Sequence, residues 1–285
     1  MIDLFYEYTE DDLMLQGTYF DSEDKECCIL FVHGQAQSII DNQFAYNIGK
    51  NLSNNKISFL YGHNRGYSYI NCMSKKDGTM EKIGATFEIF EDCIKDISIW
   101  IKKIKELGYK RVVLIGHSLG CNKALYYLSQ NIKLIDGVIF LSPPDMVGIT
   151  KIEEEKFEQF MEEAKQNIFN NESNKILDNL LCNFDYISSK TFVDFYTENN
   201  AIDNFPIERN PKVFEQLSKL SIPILSMAGS LEYKTYLEQK LLKEKAINCK
   251  DYNYHIIEGA NHFYNGYEDI VVEHIINFVR KITEK

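Results

Sequence analysis

Three short stretches hold the side chains with which this chain could do covalent chemistry. Residues 112–121 read VVLIGHSLGC: a branched apolar run, then Ser118 with a glycine two places to either side. A serine at so tight a strand-to-helix turn can neither bury itself in a sheet nor lie along the helix. It is presented at the C-terminal edge of the strands, where open α/β sheets bind ligands. Gly116 and Gly120 spare the turn the Cβ atoms that would collide there. The helix that opens at Leu119 points its free N–H groups toward whatever sits beside the serine. A nucleophile and part of an anion-stabilising site therefore come together.

The second stretch is ILFVHGQ, residues 29–35. An apolar strand ending in His-Gly suits a sharp turn, and the Gln35 N–H would join that of Leu119 as a second oxyanion donor. The third is EGANHFY, residues 258–264, which follows the last predicted strand and so sets His262 on a loop at the same edge as Ser118. An imidazole there is placed to act as general base. Cys121, directly after the serine turn, faces the sheet and is no rival nucleophile. No histidine pair has metal-ligand spacing, so neither a metal nor another cofactor is expected.

Elements must carry these loops to one place. Strands are expected at 13–20, 27–32, 57–61, 112–115, 135–141, 222–227 and 252–257. Helices are expected at 42–52, 119–130, 234–243 and 270–279. Ile83, Phe87, Phe90, Ile94, Ile97, Ile101 and Ile104 recur at steps of three or four, so one amphipathic helix is expected to present them together and to close at Gly108. Near-continuous apolar strands alternating with such helices indicate a mostly parallel sheet covered on both faces. His255 is expected in the core and His274 at the surface of the last helix.

The interval 146–220 breaks this rhythm. It is charged, helical in period and rich in aromatics: Phe157, Phe160, Phe169, Phe184, Phe192, Phe195 and Tyr196. A helical cap over the sheet edge is expected there, most of its aromatics packing its own helices and a minority facing a pocket. The division is thus 1–145 and 221–285 for the core and 146–220 for the cap.

With 45% hydrophobic residues in 285, the chain can bury a sizeable core. A net charge of −11 repels phosphate backbones and anionic lipid, which argues against nucleic-acid and membrane partners. Seven scattered cysteines without a C-x-x-C pair fit reduced thiols. Without a signal peptide or spanning segment in view, a cytoplasmic location is expected.

In this order, HGQ, GHSLG and GANHF resemble the oxyanion turn, nucleophile elbow and catalytic-histidine loop of the α/β-hydrolase superfamily, especially its cytosolic members with a helical cap. The resemblance runs from about Leu13 to Phe278 and is weakest in the cap. It implies a cap inserted after the sixth strand. YGHNRGYS, residues 61–68, looks like the Arg-Gly loop of such enzymes. His33, His63, Arg65 and His117 are the further candidates for the pocket wall, although His33 and His117 also suit packing and turn stability.

The family places its acid after the strand that follows the cap, which points to Glu232 in GSLEY. Asp145 in LSPPD is the alternative acid, competing with a role as a helix cap. The resemblance implies a serine hydrolase that cleaves a carboxylic ester or thioester of a small acyl substrate through an acyl-enzyme. Acyl transfer and amide cleavage would use the same residues. A non-catalytic binder on this fold is a third reading, one that predicts loss of the serine or the histidine, and both are present.

Overall fold

The computed structural model describes residues 1–130, 134–183 and 185–284. Its strands are β1 (Ile2–Tyr8), β2 (Met14–Phe20), β3 (Cys27–Val32), β4 (Ser58–Gly62), β5 (Asn71–Ser74), β6 (Met80–Ile83), β7 (Arg111–His117), β8 (Gly137–Leu141), β9 (Ile224–Gly229) and β10 (Tyr252–Ile257). Eight of them form one sheet in the order β1-β2-β4-β3-β7-β8-β9-β10. β1, β2 and β4 pair antiparallel, and every pairing from β4 to β10 is parallel. β5 and β6 form a separate hairpin.

The continuous apolar runs are explained by burial on both faces. Along β3, Cys28, Leu30 and Val32 join one core cluster while Cys27, Ile29 and Phe31 join the other. β7 splits the same way, Val112 and Leu114 against Val113 and Ile115. Successive strand side chains point to opposite faces, so a strand with no wet face needs no polar alternation. The first cluster packs under α2 (Cys93–Glu106), α3 (Leu119–Ser129) and α7 (Gln239–Lys245). The second packs under α1 (Gln43–Asn54) and α8 (Glu268–Thr283). α1 is started by Asn42, whose side chain accepts from the Ala45 N–H.

Among the described residues, three α-helices lie between β8 and β9: α4 (Met146–Glu153), α5 (Phe157–Phe169) and α6 (Ser189–Tyr196). β8 is the sixth strand of the large sheet in chain order. Phe157, Phe160, Phe192, Phe195 and Tyr196 are buried together in a third cluster that also takes in Phe90 and Leu119 of the sheet domain. Phe169 is exposed, and Phe184 lies outside the described residues. This segment is therefore seated on the residue that directly follows Ser118.

Two expectations fail. The apolar series from Ile83 to Ile104 is not one helix: Ile83 ends β6, Phe87 sits in a loop, and Phe90 opens a 3-10 turn before α2 begins at Cys93. A spacing of three or four arises here because separate elements converge on shared cores. β1 escaped notice because it is an edge strand with a wet face, Ile2, Leu4, Tyr6 and Tyr8 being exposed. His255 is only half-buried and stacks on His274, with ring centres 3.9 Å apart.

Candidate active site

Ser118 joins β7 to α3 in a backbone conformation that L-residues avoid, φ 55° and ψ −132°. The turn is fixed from both sides. The Ser118 N–H donates to Leu141 O at 2.9 Å, and its carbonyl accepts from the Cys121 N–H at 2.8 Å. A Cβ on Gly120 would stand 2.0 Å from Val32 O, and one on Gly116 would stand 2.4 Å from Gly120 O. Only glycine lets α3 start so close to β3, and the strain at Ser118 is held by that packing. Cys121 is buried, its thiol donating to Gly116 O and Leu141 O.

The turn after β3 lies against the serine: a Cβ on Gly34 would be 3.0 Å from Ser118 Cβ. Gly34 N–H donates to Gln37 Oε1 at 3.2 Å, which shapes the turn. Among the described residues, neither the Gln35 N–H nor the Leu119 N–H has a hydrogen-bond acceptor. Two free amides thus flank Ser118, one from the turn and one from the start of a helix, where the backbone dipoles favour negative charge.

His262 lies on the loop between β10 and α8 and borders the same cavity as Ser118. Its Nδ1 is 2.5 Å from Glu232 Oε1. The Glu232 side chain is 2% exposed, and its second oxygen accepts from the Ser142 hydroxyl and the Gly229 N–H, both at 2.9 Å. A carboxylate accepting at Nδ1 fixes the tautomer with its proton there and leaves the Nε2 lone pair free. The Ser118 side chain forms no hydrogen bond among the described residues, so serine and imidazole border one cavity without a hydrogen bond between them. Tyr236 packs its ring edge-on against the imidazole, centres 5.3 Å apart.

Asp145 is engaged elsewhere. It caps α4, taking the Gly148 N–H on one oxygen and the Glu208 N–H on the other, each at 2.8 Å. No contact joins it to His262 among the described residues.

The cavity has a volume of about 400 Å³. The insertion contributes Met146, Ile149, Thr150, Leu181 and Asp185 to its wall, and the sheet domain contributes Gln35 and Phe263. His33, His63, Arg65 and His117, the expected wall residues, are packed beneath it instead. His33 is fully buried between Gly34 O and the Asn64 N–H. Arg65 is held by Asp96, Asp11 and Asp92. His117 donates its Nε2–H to the His262 carbonyl at 2.8 Å. Burial lowers the pKa of His63 to about 4 and of His117 to about 3, so both are neutral supports at neutral pH.

Sequence reasoning missed Ser142, Tyr236 and Asp185. Ser142 follows β8 as Ser118 follows β7, and that position was its only signal. Among the described residues, no group of three or more histidine, cysteine or acidic side chains is placed to hold a metal, and no helix is long and apolar enough to cross a membrane.

Residues 90–280 match the model of a family described as Protein of unknown function (DUF1749). No curated protein matches the chain. Among solved structures, the α/β-hydrolase GrgF from Penicillium sp. sh18 superposes with a TM-score of 0.72 at 14% identity, covering 100% of both chains. Est1E from Butyrivibrio proteoclasticus, solved with ferulic acid bound, gives 0.68 at 16% identity over 98% of this chain and 100% of that one. The esterase Pf2001 from Pyrococcus furiosus gives 0.66 at 15% identity over 99% and 91%. At such identities the likeness speaks for the fold.

Proposed function

The chain belongs to the DUF1749 family and has the α/β-hydrolase fold, and from that premise we propose that it is a serine hydrolase of carboxylic esters or thioesters. The observation that carries this reading is His262, backed by Glu232, bordering one cavity with a strained, glycine-flanked Ser118. Naming of the structural neighbours Pf2001 as an esterase and of a monoglyceride lipase from Saccharomyces cerevisiae supports the ester bond as the target.

In this reading Ser118 Oγ attacks the acyl carbon and passes its proton to His262 Nε2. Glu232 holds the imidazole and offsets its positive charge. The Gln35 and Leu119 N–H groups receive the oxyanion. Collapse of the tetrahedral species breaks the bond to the alcohol or thiol, which leaves with the proton from Nε2. Water then attacks the acyl-Ser118, its proton taken by His262 and returned to Ser118 as the acid departs. Residues 146–220 act as a cap that walls the acyl site.

A fluorophosphonate probe and p-nitrophenyl acetate test this together. Wild-type protein should be labelled and should turn the ester over. Ser118→Ala should abolish labelling and lower turnover by about 10⁴-fold or more. Folded wild-type protein that takes no label and cleaves no ester would instead favour a binding protein.

A further inference from the structure

Asp185 is the one cavity-wall acid, among the described residues, whose carboxyl is buried and incompletely partnered. Its residue is 4% exposed, and it comes from the insertion between α5 and α6. Oδ2 accepts from the Gln35 side-chain amide at 2.9 Å. Oδ1 has no hydrogen-bond partner. The Tyr69 hydroxyl lies beside the carboxyl and opposes the effect of burial on its pKa more than Gln35 does, yet it stands outside hydrogen-bond geometry and leaves Oδ1 unpaired. Buried acceptors are nearly always paired, so an unpaired one on the wall of a ligand cavity needs a partner the protein does not supply.

Chain flexibility does not explain the vacancy. The backbone around Asp185 is pinned to the sheet domain: the Ser188 N–H donates to Thr86 O at 2.9 Å and the Thr86 hydroxyl to Tyr186 O at 2.8 Å. The position is also close to the chemistry. Gln35 links Asp185 by its side chain to the turn whose Gly34 lies against Ser118.

Charge selects the partner. The other cavity-wall acids are Asp145, with both oxygens occupied, and Glu153, which is exposed. No lysine or arginine lines the cavity among the described residues. Burial raises the Asp185 pKa to about 6, so at pH 7.5 it is mostly a desolvated anion facing Gln35, Tyr69, Tyr196 and Cys182, none of them a cation. An anionic acyl group would be repelled, and a neutral chain would leave Oδ1 unmatched.

We propose that Asp185 is a specificity determinant that receives a protonated amine carried by the ester substrate. This rests on the hydrolase reading above and adds the substrate's charge to it. The ammonium supplies a charge-assisted hydrogen bond to Oδ1 at a buried position, where it counts for more than at the surface.

Three p-nitrophenyl esters of matched length test it at pH 7.5: hexanoate, 6-aminohexanoate and the adipate half-ester. Wild-type kcat/KM should fall in the order cation, neutral, anion, with about tenfold or more between the first two. Asp185→Asn, nearly isosteric, should erase that advantage, bringing the ratio of kcat/KM on 6-aminohexanoate to that on hexanoate down to about one. Equal rates on all three, a preference for the anion, or a cation preference that survives in Asp185→Asn would overturn the proposal. So would an equal loss on all three esters, which marks a structural role. Should no ester turn over, the hydrolase reading falls but the recognition is still read by calorimetry. Hexylammonium should then bind wild type better than hexanol does, and better than it binds Asp185→Asn; equal binding would overturn the inference.

Discussion

Two buried carboxyls near the cavity, one behind His262 and one in the wall, face opposite fates. Glu232, after β9, has every acceptor used: the imidazole on one oxygen, Ser142 and Gly229 on the other. Asp185, on the insertion side, has one oxygen bound to Gln35 and the other bare. A fully paired carboxylate is held still and orients its neighbour. A half-paired one is strained for want of a partner, and the strain is relieved when the ligand arrives. The sheet side of the cavity is thus built for a fixed reaction and the insertion side for choosing what enters.

The largest effect that could break this contrast is exchange of roles between the acids. Glu232→Gln should keep the shape but disturb the tautomer of His262, cutting kcat by about 10³ to 10⁴. Asp145→Asn should leave turnover on p-nitrophenyl acetate nearly intact, because one oxygen caps α4 at the Gly148 N–H and the other ties down the Glu208 N–H, so its cost falls on stability. Both are read by kinetics on protein of verified fold. If Asp145→Asn alone destroyed turnover, the fixed side would have been assigned to the wrong acid.

The same contrast governs what the sequence can disclose. Ser118, Gln35 and His262 are legible because each depends on a local turn: a glycine pattern at the end of an apolar strand places a side chain or an N–H without help from distant residues. Glu232 is legible only through the resemblance, since no local pattern says which loop acid meets an imidazole thirty residues away. Asp185 is silent, because nothing in LCNFDYISSK marks a buried acid. Its place in the wall goes with a tie between its neighbour Tyr186 and Thr86, a hundred positions apart in the chain. His33, His63 and Arg65 mislead for the converse reason: polar residues beside motif turns look available, while the structure uses them to hold those turns. The sheet strands are easily read where both faces are apolar, and β1 is not because one face is wet.

A smaller effect sharpens the comparison through stability. The Asp185 pKa is raised from 3.8 to about 6, so the folded state holds this proton more tightly than the unfolded chain does. The group then costs nothing below about pH 4, and its penalty grows to its full size above pH 6, at most about 3 kcal/mol. Asp185→Asn removes the penalty. Its midpoint in scanning calorimetry should exceed that of wild type by about 2–6 °C at pH 8, and the gain should vanish at pH 4. A variant less stable than wild type at pH 8 would mean that the carboxylate is well satisfied after all. Glu232→Gln should show no such gain, since both Glu232 oxygens already accept hydrogen bonds and an amide would break at least one of them.

The smallest effect concerns Ser142, which holds Glu232 from behind and has a backbone φ of 54°. Two substitutions separate its hydroxyl from its backbone. Ser142→Ala and Ser142→Gly both remove the hydrogen bond to Oε2, leaving that oxygen the Gly229 N–H alone. If the hydroxyl acts by positioning Glu232, both should lose about tenfold in kcat with KM little changed, since one hydrogen bond to a charged group is at stake. Their stabilities should differ. A left-handed conformation disfavours any Cβ, so the glycine variant should be more stable than the alanine variant by about 1 kcal/mol, read from urea midpoints. Equal kcat with unequal stability places the effect in the hydrogen bond. If activity instead tracked stability across the two variants, Ser142 would be a strained corner of the fold and Glu232 would be oriented without it.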